Sequence, residues 1–226
     1  MSLGVALMAV TGLIEVGLRN ATCKHLDTSL GGSGWLRRPP NGLRWSAYEI
    51  QSIRNGERAA QRAIYSKMTS AEKADLDDIA FPNGVPQNIK HRKLAEKRQS
   101  SIIANDGQVI AQLTMFFWKR LFSETYEVSL WKRAIKRVFP NKTLDRSDVA
   151  AKLEVIYQVR NRLAHHEPVY GRRLEDALIA IEFVAHNLES RVPSSEAPFA
   201  KFILPQRDIL SGQVAIFRTT FERLCG

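Results

Sequence analysis

Val149, Leu153, Ile156, Val159 and Leu163 recur at the three- and four-residue spacing of one helix face, and Arg160 falls inside that stripe. At about 100° per residue it lies roughly 40° from Ile156. A lone guanidinium in an apolar face is costly to bury. Any fold of this chain must therefore bring Arg160 a carboxylate, a substrate phosphate or a second subunit. The helix reads as 149–166, with Ser147 or Asp148 as its N-cap. Pro168 ends it, because a proline disfavours helical geometry at the preceding Glu167.

The last turn of that helix holds Arg160, Asn161, Arg162, His165, His166 and Glu167. Arginine can hold a scissile phosphate and stabilise the charge that builds on it. Histidine moves protons near neutral pH. Together they are the smallest set that cuts RNA without a metal. Asn161 and His165 are four apart and share a face. Arg160 and His165 are five apart and diverge by roughly 140° on an ideal helix. They meet on one phosphate if the arginine bends round, if the last turn distorts before Pro168, or if two chains share the site. The plainer alternative is a charged helix end in which cations favour the dipole.

The segment VRNRLAHHEPVY (159–170) resembles the signature of the Abi-like proteins, the AbiD/AbiF type of phage abortive-infection proteins within the HEPN superfamily of all-helical domains. Arg160, Asn161 and His165 match its arginine, polar residue, three spacers and histidine. IEVGLRNA (14–21) is similar to the family's first helix, and LTMFFWKRLFSETYEVSLWKRAIKRVFP (113–140) to its middle helices. The matched blocks run from about residue 10 to about residue 190. The resemblance implies an all-α, HEPN-like helical bundle with additional helices, a site built at a homodimer interface, and Arg160, Asn161 and His165 as catalytic residues. It also makes Glu15, Arg19, Asn20 and His166 supporting residues, with Glu15 from the first helix as the partner of Arg160. Members usually carry more chain before the first helix, so a short or truncated member is expected.

Composition fits that reading. Thirty-three basic against 23 acidic residues give a net charge of +10 over 226 residues, which suits a polyanion such as RNA. Lys132, Arg133, Lys136 and Arg137 are expected on the outer face of a 127–139 helix that buries Val128, Trp131, Ile135 and Val138, and Arg162 joins them as an RNA-binding residue. Cys23 and Cys225 make neither metal-ligand spacing nor a disulfide framework, and a reducing cytoplasm is the simplest compartment. No P-loop, dinucleotide fingerprint, nucleophile elbow or zinc-protease helix is present, so no cofactor and no metal are expected. The apolar run 3–18 lacks a preceding cation, contains Glu15 and is short for a bilayer; it reads as a buried central helix with Arg19 and Asn20 at its end and no membrane role. Glu15 and Arg19, four apart, can pair on it.

Further helices are expected over 46–68, with Gly56 as a weak point, and from a Thr69–Glu72 capping box to about Ile79. Others follow over 91–98, 106–122 and 173–189, and a last one over 209–224. The domain organisation expected is 1–192 as an Abi-like HEPN-type domain, with 193–226 a linker and helix packed on it. The functions to weigh are three. The first is a metal-independent endoribonuclease acting in abortive infection or toxin–antitoxin defence, with an antitoxin or inhibitor as a further partner. The others are a non-catalytic RNA-binding member and a protein-interaction module.

Overall fold

The computed structural model of the chain describes residues 2–225, with the side chains of residues 33, 224 and 225, Cys225 among them, outside that description. Among the described residues the regular elements are all helical: α1 Leu3–Leu30, α2 Ala47–Lys67, α3 Ser70–Asp75, α4 Asp77–Ala80, α5 His91–Ser100, α6 Asp106–Ile110, α7 Met115–Arg120, α8 Arg146–Ala164, α9 Arg172–Asn187, α10 Pro198–Phe202 and α11 Leu204–Cys225. Where one domain over 1–192 and an appended 193–226 were expected, the chain parts differently. Residues 1–33 and 114–226 form one compact unit and residues 34–113 a second.

The first unit is built on α1. Its buried residues Leu7, Val10, Ile14, Leu18, Ala21 and Leu26 recur at helical spacing, and it packs against α7, α8, α9 and α11. Arg19 and Asn20 are mid-helix and not at its end as expected, while the glycine cluster from Gly31 ends the helix as its residues dictate, Gly31 being left-handed at φ 83°. At 28 residues it is long and apolar enough to cross a membrane by length and composition, so the expectation of a run too short to do so is corrected. The last helix starts at Leu204, earlier than expected, and lies on α1.

Between α7 and α8 the expected continuous helix over 127–139 is absent. Glu127–Trp131 is a π-turn in which the Lys132 N–H reaches the Glu127 carbonyl at 3.0 Å, and Ile135–Val138 is a 3-10 turn. The changed phase turns Val128 outward, 74 % exposed, where burial was expected. Trp131, Ile135 and Val138 remain buried. The helix expected over 106–122 is likewise two pieces. Asn105 caps the first with a Gln108 capping box, and Thr114 starts the second.

In the second unit the Thr69–Glu72 capping box forms as its spacing dictates. Arg37 donates to the Ala104 carbonyl at 2.6 Å and pairs with Asp106 at 3.3 Å. Arg98 grips Asp77 through both oxygens at 2.6 and 2.7 Å. Gly56 does not weaken α2. It admits the Leu113 side chain, which would lie 3.1 Å from a Cβ there.

Gly17 does the same for α1, because a Cβ at that position would run into the ring of Phe199. Gly17→Ala is expected to displace the ring and lower stability by about 1–3 kcal/mol. Differential scanning calorimetry checks this; an unchanged melting temperature means the ring swings aside without loss.

Candidate functional site

Helix α8 has Asp145 as its N-cap, whose N–H donates to Asp148 Oδ2 at 3.0 Å, where Ser147 or Asp148 was the expected cap. Its stripe of Val149, Leu153, Ile156 and Val159 is buried. Arg160 continues that face and is answered by α1: its Nη2 lies 2.7 Å from Glu15 Oε2. Glu15 is 13 % exposed and Arg160 32 %, so the pair sits at the edge of the core. Arg160 Nε is buried without a hydrogen-bond partner.

Glu15 holds more than Arg160. The Met115 backbone N–H, at the start of α7, also bonds to its carboxylate. That N–H is one of the orphan donors of a helix N-terminus, and an acid from another helix satisfies it. Burial pushes the Glu15 carboxyl above the ordinary range, and Arg160, the Met115 N–H and Arg19 pull it back without cancelling the rise. Arg19 sits one turn on and donates to Asn20 Oδ1 at 3.4 Å. Cys23, another turn along, has its thiol pushed up to about 12 by burial, which leaves it a poor nucleophile.

The far end of α8 closes in a Schellman turn. The His166 N–H reaches the Leu163 carbonyl at 3.1 Å and the Glu167 N–H reaches the Arg162 carbonyl at 2.8 Å. His166 takes the left-handed position at φ 57°, usually given to glycine. The apolar contact that commonly closes this motif is replaced by an ion pair, Arg162 Nη1 to Glu167 Oε2 at 2.9 Å. Glu167 is thereby drawn away from Arg160. His165 is the C-cap itself, outside the helical φ/ψ region at −95° and 15°, and exposed; Asn161 is half-buried one turn before it.

The structure thus brings Arg160, Glu15 and Arg19 together and places Asn161, His165 and His166 at the open end of the same helix. Of the expected basic face over 132–137, Lys132, Arg133 and Arg137 are exposed and Lys136 is half-buried. Lys136 lies over the Trp131 ring at 5.1 Å and donates to the Leu144 carbonyl, and Arg137 donates to Ser29 Oγ at 2.8 Å. Two features had no separate sequence signal. One is the Met115 N–H on Glu15. The other is Lys119, which pairs with Glu154 and lies over the Tyr157 ring at 4.3 Å. Among the described residues no group of three His, Cys, Asp or Glu side chains is placed to hold a metal ion. Comparison with protein-family models, with curated proteins and with solved structures finds no match to this chain.

A carboxyl whose pKa is raised by folding holds its proton more tightly in the fold. Its stabilising contribution is complete below the unfolded value, about 4.3, and is lost as pH rises through the raised one. Glu15→Gln removes that ionisation, so the fall in stability through this window is expected to be smaller than in the wild type. At neutral pH its melting temperature is expected to stay within about 4 °C, a change of about 1 kcal/mol, because the Arg160 side chain is partly exposed. Thermal unfolding followed from pH 4 to 8 checks both. A collapse at pH 7 assigns the pair to core stability.

Proposed function

We propose that this chain is an Abi-like protein of the HEPN type whose all-helical bundle, with additional helices, cleaves RNA without a metal. The observation that carries the reading is Arg160 fixed by Glu15 at 2.7 Å, one turn before an exposed His165 at the helix C-cap. Arginine presents five N–H donors. Glu15 occupies part of that set, and the remainder of the fork can face a phosphate.

On this reading His165 takes the proton of a ribose 2′-hydroxyl as the O2′–P bond forms, or gives a proton to the departing 5′-oxygen as the P–O5′ bond breaks. Arg160 stabilises the extra negative charge on the phosphorane-like state. Asn161 orients His165 or the phosphate through its amide. The products are a 2′,3′-cyclic phosphate and a free 5′-hydroxyl. The five-residue spacing of Arg160 and His165 favours a homodimer in which both motif helices line one cleft. The setting proposed is the cytoplasm of a cell under phage attack or held in check by an antitoxin.

Purified protein is expected to cut single-stranded RNA in EDTA. His165→Ala and Arg160→Lys are each expected to lower the rate at least about 100-fold without unfolding the chain. Arg160→Lys keeps the charge beside Glu15 while removing the planar fork. If both variants cut at the wild-type rate, the site lies elsewhere. Binding to single strands is expected to weaken with salt at a slope of about 0.7 per phosphate neutralised, so an affinity flat in salt disconnects the +10 charge from RNA. Light scattering that finds a fully active monomer sinks the shared cleft.

A second reading is favoured by Glu15 serving two helices at once. An ion pair that also caps α7 suits a structural strut in a non-catalytic RNA-binding or protein-interaction member. That reading gains if RNA is bound but never cut.

A further inference from the structure

The motif helix has a second working face. Asn161 lies three residues from Gln158 and seven from Glu154, so these side chains share the side of α8 that leads to His165, away from the Arg160 stripe. On that side, between α8 and α9, lies a groove of about 300 Å³ lined by Val155, Gln158, Val159, Arg162, Arg173 and Asp176, with Glu154 at its edge. Its volume is at the lower end of small-ligand clefts, about 300–1,000 Å³.

The lining divides by chemistry. Val155, half-buried, makes the accessible apolar floor, with the buried Val159 beneath it. Arg162 is tied at one nitrogen to Glu167, while its Nε is buried without a partner. Arg173 is exposed on the first turn of α9. Glu154 does not repel an anion there, because Lys119 pairs with it and Gln158 donates to it at 2.6 Å. That bond leaves the Gln158 carbonyl oxygen and one N–H unused. Asp176 is held only at 3.9 Å by Arg172 of its own helix, so its carboxylate is an open acceptor.

We propose that this groove is the subsite for one unpaired nucleotide beside the bond that is cut. The base lies on Val155, the flanking phosphates contact Arg162 and Arg173, and Gln158 and Asp176 read the base edge. Two arginines flanking an apolar floor suit a splayed-out base of single-stranded RNA. A carboxylate on the base edge accepts from an exocyclic amine, which cytosine has and uracil lacks. The inference rests on the reading of the chain as an RNA-cleaving protein and adds where the strand lies.

The test uses full-length protein carrying His165→Ala, so that RNA is bound and not cut, with fluorescein-labelled 12-mers of oligo(C) and oligo(U) in EDTA. Arg173→Gln is expected to weaken binding about tenfold and to lower the salt slope by about one contact. Gln158→Glu, at an exposed rim position, is expected to weaken it as well. Oligo(C) is expected to bind more tightly than oligo(U), and Asp176→Asn to erase the difference. A 4-thiouridine placed in the oligo(C) strand is expected to crosslink within 154–162 or 173–176. A charge-matched control, Lys67→Gln on α2, is expected to change nothing. If the wild type cuts RNA while Arg173→Gln and Gln158→Glu bind as the parent does, the subsite is overturned and the ribonuclease reading stands. If the two homopolymers bind equally, the base is not on Asp176 and the proposed pose falls. If no RNA is bound or cut by any form, both readings fall together.

Discussion

One carboxylate ties three helices of the larger unit. Glu15 lies on the long central helix between Ile14 and Leu18, and it receives the Arg160 guanidinium from α8 and the Met115 N–H from α7. Neither interaction is a strong source of stability, since burial holds the Glu15 carboxyl above its ordinary range despite both partners. Their effect is on register. An arginine in an apolar stripe has few places to go, and sliding α8 along α1 by a turn would strand it. The same contact that fixes the helix fixes the direction of Arg160.

The second constraint is the way α8 ends. A Schellman turn normally takes glycine and an apolar contact. Here His166 occupies the left-handed position, and Arg162 and Glu167 supply an ion pair in place of the apolar contact. A non-glycine residue there costs on the order of 1 kcal/mol, and histidine tolerates it better than most. The outcome is an imidazole, His165, carried just past the last helical turn and open to solvent.

What the sequence made legible follows from how local each signal is. The Thr69–Glu72 cap and the 149–159 stripe depend on residues close in sequence, and each forms as read, while the stop before Pro168 falls at Ala164, two residues earlier than read. The apolar stripe required a partner for Arg160 and left its kind open; Glu15 in particular came from the family resemblance. The 106–139 stretch was not legible. Phe117, Trp118, Leu121, Phe122, Tyr126, Leu130, Trp131, Ile135 and Phe139 are all buried, and no single helical stripe of one phase takes in all of them. Packing then decides, and it selects short turns of α, 3-10 and π type that seat each large ring. The border at residues 33 and 114 left little trace either. The 31–34 glycine cluster signals a helix end, whether or not a unit ends with it.

Helix geometry also explains why the motif has residues on two sides. Arg160 belongs to the face that meets α1, and Asn161 to the face that runs through Gln158 toward the α8–α9 groove. A single chain therefore offers the anchored cation on one side and the amide on the other, with His165 released from the helix at the end between them. Chemistry on one phosphate needs both kinds of group on one side. Arginine is the residue able to reach round from its buried root, because its charge sits at the end of a long stem and Glu15 engages only one edge of the fork. Arg160 keeps 32 % of its side chain exposed while paired with Glu15, and the proposed catalytic reading requires that exposed part more than any other part of the fold.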